Sequence, residues 1–164
     1  AEETAAAPAP SDTPPGAETE GYVKAPALTD EELDLLRSDI RSMRKQLIAR
    51  NLELSDEQAA SFWPVYEEYA AELTKVADLK ADLMKRYSEQ WGSMTDEQAL
   101  DFTKGWLAAD VELTKLRESY VGAVAKVLNG RTLATFFQLD RRITMMVDLQ
   151  LSSQMPLVRK QDSH

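Results

Sequence analysis

The sequence predicts an all-α protein: four amphipathic helices with a long central helical hairpin. Together they form an elongated bundle, expected to pair as an antiparallel or intertwined homodimer. Three observations carry this reading. From residue 28 onward apolar residues recur at steps of three and four, the period of one helix face. Three tetrapeptides, Thr29-Asp-Glu-Glu32, Ser55-Asp-Glu-Gln58 and Thr95-Asp-Glu-Gln98, place a hydroxyl three residues before Glu or Gln. In that spacing the two side chains satisfy backbone N–H groups that a helix start leaves unpaired. No stretch alternates with period two over the length of a strand.

The chain divides into 1–27, 28–155 and 156–164. The first part holds five of the seven prolines and five acids against one lysine. Almost no large apolar side chain accompanies them, so this part reads as a disordered acidic arm. The first helix, 29–51, follows its capping box and carries Leu33, Leu36, Ile40, Met43 and Leu47 on one line. The second, 55–91, starts at the next box and ends before Gly92, with Phe62, Tyr66, Tyr69, Leu73 and Val76, then Leu79, Leu83 and Tyr87, on its apolar line. Pro64 lies well inside it, removes one backbone donor and pushes against the preceding turn, so a kink near Ser61 to Trp63 is expected. The third, 95–128, carries Phe102, Trp106, Ala109, Leu113, Tyr120 and Val124 and stops at Asn129-Gly130. Gly105 beside Trp106 leaves room for a bulky neighbour. The fourth, 131–153, presents Leu133, Phe136, Leu139, Ile143, Met146 and Leu149 before Pro156 closes the pattern, and a flexible tail of 156–164 follows. At 1.5 Å per residue the two middle helices each reach about 50 Å, hence an elongated body.

Composition narrows the chemistry. The chain has no cysteine and one histidine, His164 at its last position. Thiol nucleophiles, disulfides and thiolate metal sites are therefore excluded. No Gly-rich phosphate loop, nucleophile elbow or HExxH pattern occurs. The reading is non-enzymatic, with no cofactor and no metal. A net charge of −9 argues against nucleic acid as partner, because phosphate binding wants a basic surface. No run approaches the length of a membrane span. The sequence begins Ala-Glu-Glu rather than with Met. That start fits a chain whose signal peptide has been removed, so an exported, periplasmic protein is expected.

The distribution of charge says more than its sum. Residues 33–51 hold five basic side chains against two acidic, residues 119–164 six against three, and residues 55–118 seven against fourteen. The outer helices are basic and the hairpin is acidic. Arg37, Arg41, Arg44 and Lys45 step along one stripe, interleaved with Met43 and Leu47. Arg141 and Arg142 precede Met145 and Met146 on the last helix. One role for these residues is to neutralise the acidic hairpin, within the bundle or across a dimer. The other is a binding surface, on which basic side chains steer acidic clients and flexible methionines hold them.

The segments Leu54-Ser55-Asp-Glu-Gln58 and Met94-Thr95-Asp-Glu-Gln98 resemble the LTxxQ motif of the Spy/CpxP superfamily of periplasmic proteins. The run from Arg131 to Phe136-Phe137-Gln138-Leu139 resembles the region that opens that family's last helix. There Leu128-Asn129-Gly130-Arg131 stands in place of a second Leu-Thr-x-x-Gln. The resemblance implies a small all-α, often cradle-shaped antiparallel dimer. Its implied partners are unfolded or partly folded proteins, held without ATP, or the periplasmic domain of a sensor kinase. Metal-sensing relatives use His-rich ligand sets, which this chain lacks. A structural spacer of the envelope is the remaining reading.

Overall fold

The computed structural model describes residues 29–153 together with 155, 157 and 158. The arm predicted for 1–27 and most of the tail predicted for 156–164 lie outside the described residues. Four helices follow one another: α1 (Asp30–Asn51), α2 (Asp56–Gln90), α3 (Asp96–Ala125) and α4 (Gly130–Ser153), with one 3-10 turn at Trp91–Ser93. The described residues contain no strand, and the all-α prediction holds. The capping boxes are why the starts were legible. Glu32, Gln58 and Gln98 each donate a backbone N–H to the hydroxyl of Thr29, Ser55 and Thr95 at 3.2 Å. Their side chains accept from the cap N–H at 2.8, 3.0 and 2.9 Å. Asn129 begins α4 differently, its side-chain oxygen accepting from the Thr132 N–H at 3.0 Å.

The regular structure of α3 ends three residues earlier than its apolar pattern suggests. Residues 126–128 form a looser turn in which the Leu128 N–H still reaches the Val124 carbonyl at 2.9 Å. Leu128 itself stays buried, which explains why its apolar character reads as helix. α2 runs on through Pro64, whose ring is exposed.

Contacts fix the directions. Arg37 meets Asp78 and Lys45 meets Glu67, so α1 runs antiparallel to α2. Tyr69 meets Asp140 and Lys80 meets Asp148, so α4 runs parallel to α2 and antiparallel to α1. α2 and α3 form the predicted hairpin and pack closely. A Cβ on Gly105 would lie 2.8 Å from Leu83 Cδ2, so the bulky neighbour foreseen for Gly105 is Leu83.

The apolar core gathers at one end, where α1 finishes, α2 starts, α3 finishes and α4 starts. Ile48, Leu52, Phe62, Tyr66, Tyr69, Ala70, Val124, Leu128, Phe136 and Ile143 form a single buried cluster there. Its rings meet edge to face, with Phe136 5.2 Å from Phe62 and 5.9 Å from Tyr69, and Tyr69 5.3 Å from Tyr120. This is the closed end. The opposite, open end holds the hairpin turn, the start of α1 and the finish of α4. There Trp91 Nε1 donates to the Leu157 carbonyl at 3.2 Å.

Candidate functional site

Between the two ends a polar layer crosses the bundle, and each helix supplies a member. Arg44 comes from α1, Tyr69 from α2, Arg117 from α3, Asp140 and Thr144 from α4. Asp140 is fully enclosed and Arg44 is 7% exposed. Arg44 donates to Asp140 Oδ1 at 2.6 Å and to the Thr144 hydroxyl at 3.2 Å. Arg117 donates through Nε to Asp140 Oδ2 at 2.8 Å and through its terminal nitrogen to Thr144 at 2.9 Å. The Tyr69 hydroxyl donates to Asp140 Oδ2 at 2.8 Å. Thr144 in turn donates to the Asp140 carbonyl at 2.9 Å. Both carboxylate oxygens thus accept from donors, and Asp140 ties α4 to the other three helices.

The surroundings shift the neighbouring groups. Burial pushes the Tyr69 phenol well above the ordinary tyrosine range, reinforced by the Asp140 charge and the hydrogen bond to it. Burial also pushes the Tyr66 phenol up to about 12. Burial works against the Arg117 charge, but the adjacent Asp140 outweighs it and the group titrates above its usual value.

The structure divides the ten residues predicted for partner binding. Arg44 corrects the expectation of one basic surface stripe, because it points inward to satisfy Asp140. Arg37 is half-buried and pairs with Asp34 at 3.0 Å and Asp78 at 3.1 Å. Lys45 pairs with Glu67 and lies 5.6 Å from the centre of the Trp63 ring. Leu47 is half-buried against the core cluster. Arg37 and Lys45 do what the alternative reading of the basic stripe foresaw, neutralising acids of the hairpin, whereas Arg44 neutralises Asp140 of α4 and Leu47 only packs. Arg41, Met43, Arg141, Arg142, Met145 and Met146 are exposed. None of these three arginines forms an ion pair among the described residues. The adjacency of Met145 and Met146 suggests that one of them faces outward; both do, at 58% and 53% exposure.

These exposed residues lie near the level of the polar layer along α1 and α4. Met43 adjoins Arg44 in sequence, and Arg141, Arg142, Met145 and Met146 each lie within two residues of Asp140 or Thr144. The polar layer therefore fixes the place where α1 and α4 present them. Leu149, one turn further along α4, and Leu36, on α1, extend the exposed apolar surface toward the open end.

The LTxxQ-like residues are occupied locally. Ser55, Gln58, Thr95 and Gln98 close their capping boxes, and Leu54 packs on the core cluster. Met94 and Gln98 also line a cleft of about 260 Å³ between α2 and α3, whose floor includes Leu83, Tyr87 and Phe102.

The inward-facing charges carry a signal in the sequence, which the prediction misses at Asp140, Arg117 and Lys80 and assigns to the surface at Arg44. Asp140 lies four residues after Phe136 and three before Ile143, on the apolar line of α4. Arg44 sits midway between Ile40 and Ile48, Arg117 between Leu113 and Tyr120, and Lys80 between Val76 and Leu83. A charge on an apolar line implies a buried partner of opposite sign. Lys80 follows the rule in part, with partners of opposite sign that are themselves partly exposed: its ammonium lies 2.6 Å from Asp110, 3.5 Å from Asp148 and 5.1 Å from the centre of the Trp106 ring. Compared with protein-family models, with curated proteins and with solved structures, the chain matches none.

Proposed function

We propose that the chain is a non-enzymatic, exported protein-binding module. In this reading it acts as an ATP-independent periplasmic chaperone of the Spy type, working as a homodimer. It holds unfolded or partly folded proteins on the surface around Arg41, Met43, Arg141, Arg142, Met145 and Met146. The observation that supports this most is the exposure of methionines close in sequence to exposed arginines that have no ion-pair partner among the described residues. Unpaired guanidinium groups attract acidic chain segments over a Debye length of about 8 Å in physiological salt. Unbranched thioethers then adapt to whatever apolar side chains arrive. Arg44, Arg37, Lys45 and Leu47 serve the scaffold and are not part of this surface.

The test is suppression of aggregation of an unfolding protein by the purified chain without ATP. Arg141→Glu with Arg142→Glu is expected to weaken suppression at least several-fold with helicity unchanged, and added salt to weaken the parent protein likewise. Unchanged suppression in the double variant would remove this surface from the reading. Saturable binding to the periplasmic domain of one sensor kinase, with no general suppression, would favour instead a regulatory adaptor of the CpxP type.

A further inference from the structure

The two halves of the bundle are held by different forces, and that difference has a mechanical meaning. At the closed end the two helix pairs, α1–α4 and α2–α3, share one apolar cluster. Toward the open end, two ionic clasps tie the outer helices to the hairpin. Arg37 Nε of α1 stands 3.1 Å from Asp78 of α2. Lys80 of α2 stands 2.6 Å from Asp110 of α3 and 3.5 Å from Asp148 of α4. Lys80 is the bridge in the second clasp: without it, two carboxylates on different helices face one another. The large apolar side chains left exposed lie mostly in this half, among them Leu35, Leu79, Leu100, Leu107, Val111 and Leu149. Ile40, Val76 and Val147 are half-buried beside the clasps. Within the hairpin Leu83, Tyr87, Ala109 and Leu113 are buried, but between the hairpin and the outer helices apolar burial is incomplete and the charged pairs stand in its place.

We propose that the open end separates about the Arg44–Asp140–Arg117 layer as fulcrum. The first half of α1 and the last half of α4 part from the α2–α3 hairpin when the Arg37 and Lys80 clasps release. The movement uncovers Ile40, Val76 and Val147 and enlarges the apolar surface on which a client is held. In that role it regulates the binding surface proposed above and rests on that reading; the opening itself does not. Opening is driven by screening or by competing charges on an arriving chain, since partly exposed ion pairs weaken as ionic strength rises. The closed end, joined by apolar contacts, does not respond in that way.

The test is amide hydrogen exchange on the full-length chain, alongside fluorescence of 1-anilinonaphthalene-8-sulfonate. The parent protein is compared at low salt and in about 0.5 M NaCl, where the Debye length falls below about 5 Å. Arg37→Gln with Lys80→Gln is compared at low salt, with Lys80→Arg as the variant that keeps the bridging charge. Exchange in 31–40 and 146–152 is expected to accelerate about tenfold or more, with little change in 62–70 and 132–143 and a several-fold rise in dye fluorescence. Lys80→Arg is expected to behave as the parent. Equal acceleration in both halves would mean that the charges add only general stability, and no acceleration would mean that the clasps hold nothing. Either overturns the proposal, and the salt comparison on the parent protein distinguishes these outcomes even where the double variant fails to fold. Aggregation suppression measured on the same samples separates the two readings. Opening without any client holding overturns the chaperone reading alone, and client holding without opening overturns the fulcrum alone.

Discussion

The closed and open ends of the bundle are built from the same four helices, yet they bury different things. At the closed end rings from α2 and α4 interlock with Ile48 of α1 and Val124 of α3, and Tyr66, Tyr69, Phe62 and Phe136 are almost wholly enclosed. At the open end Leu100, Leu107 and Leu149 stay more than half exposed, while Lys80 sits buried between acids. Helix formation is equally well signalled at both ends by capping boxes. What differs is the partner available to each apolar line. The contrast shows that amphipathic periodicity specifies a helix without specifying how completely its apolar face is covered.

The largest effect expected from breaking this contrast is at Phe136. Phe136→Ala should cost about 3–5 kcal/mol, as for other fully buried aromatics. Leu107→Ala, at 59% exposure, should change stability by no more than about 0.5 kcal/mol. Urea unfolding followed by circular dichroism measures both, and similar costs would erase the distinction between the ends.

The polar layer between the ends should respond almost as strongly. Asp140→Asn leaves two guanidinium groups facing a neutral amide and should destabilise by about 3–5 kcal/mol, the range for removing one partner of a buried ion pair. Replacing the ionic members together, as Arg44→Met, Arg117→Met and Asp140→Leu, should recover much of that loss, because no buried charge is then left unpaired. A triple variant as unstable as Asp140→Asn would show that the layer contributes more than the pairing of its charges.

A smaller, graded effect should follow alkaline titration. Tyr66 and Tyr69 have phenols raised above the ordinary value of 10.0, so the folded chain binds their protons more tightly than the unfolded chain. Their contribution to stability is fully present below pH 10 and declines as pH rises through 12, where the folded Tyr66 titrates. The melting temperature should therefore stay level up to about pH 9 and fall above 10. Tyr69→Phe should blunt the fall, at the expense of one hydrogen bond to Asp140. A melting temperature that rises through this range would reverse the sign assigned to burial of these phenols.

Much of the fold could be read directly from the chain because its determinants are local. Thr29 with Glu32, Ser55 with Gln58 and Thr95 with Gln98 act within one turn, and Asn129-Gly130 marks the last boundary. Gly105 announced a close approach, and Leu83 makes it. The division of the basic residues was harder to read because it depends on contacts far apart in sequence. Arg41 and Arg44 share one stripe, one basic group facing water and the other facing Asp140 of α4. Periodicity places both on the same side of α1, but only the three-dimensional position of Asp140 separates their roles. Reading sign as well as hydropathy along each apolar line, at Arg44, Lys80, Arg117 and Asp140, would have recovered the polar layer and one clasp.

The partnership of Arg44 with Asp140 also bears on the order of events during folding. The two residues are separated by 96 positions, whereas Arg117 and Asp140 are separated by 23. Contacts closing short loops form before those closing long ones, since loop-closure entropy grows with separation. The α2–α3 hairpin and its junction with α4 can therefore assemble while α1, the first of the four helices to be synthesised, still has its guanidinium in water. α1 is made earliest and can already meet α2 through Lys45 and Glu67, but its Arg44 is enclosed only when α4 arrives. A chain interrupted before residue 140 contains that helix but nothing to bind its charge, so the fourth helix completes the first.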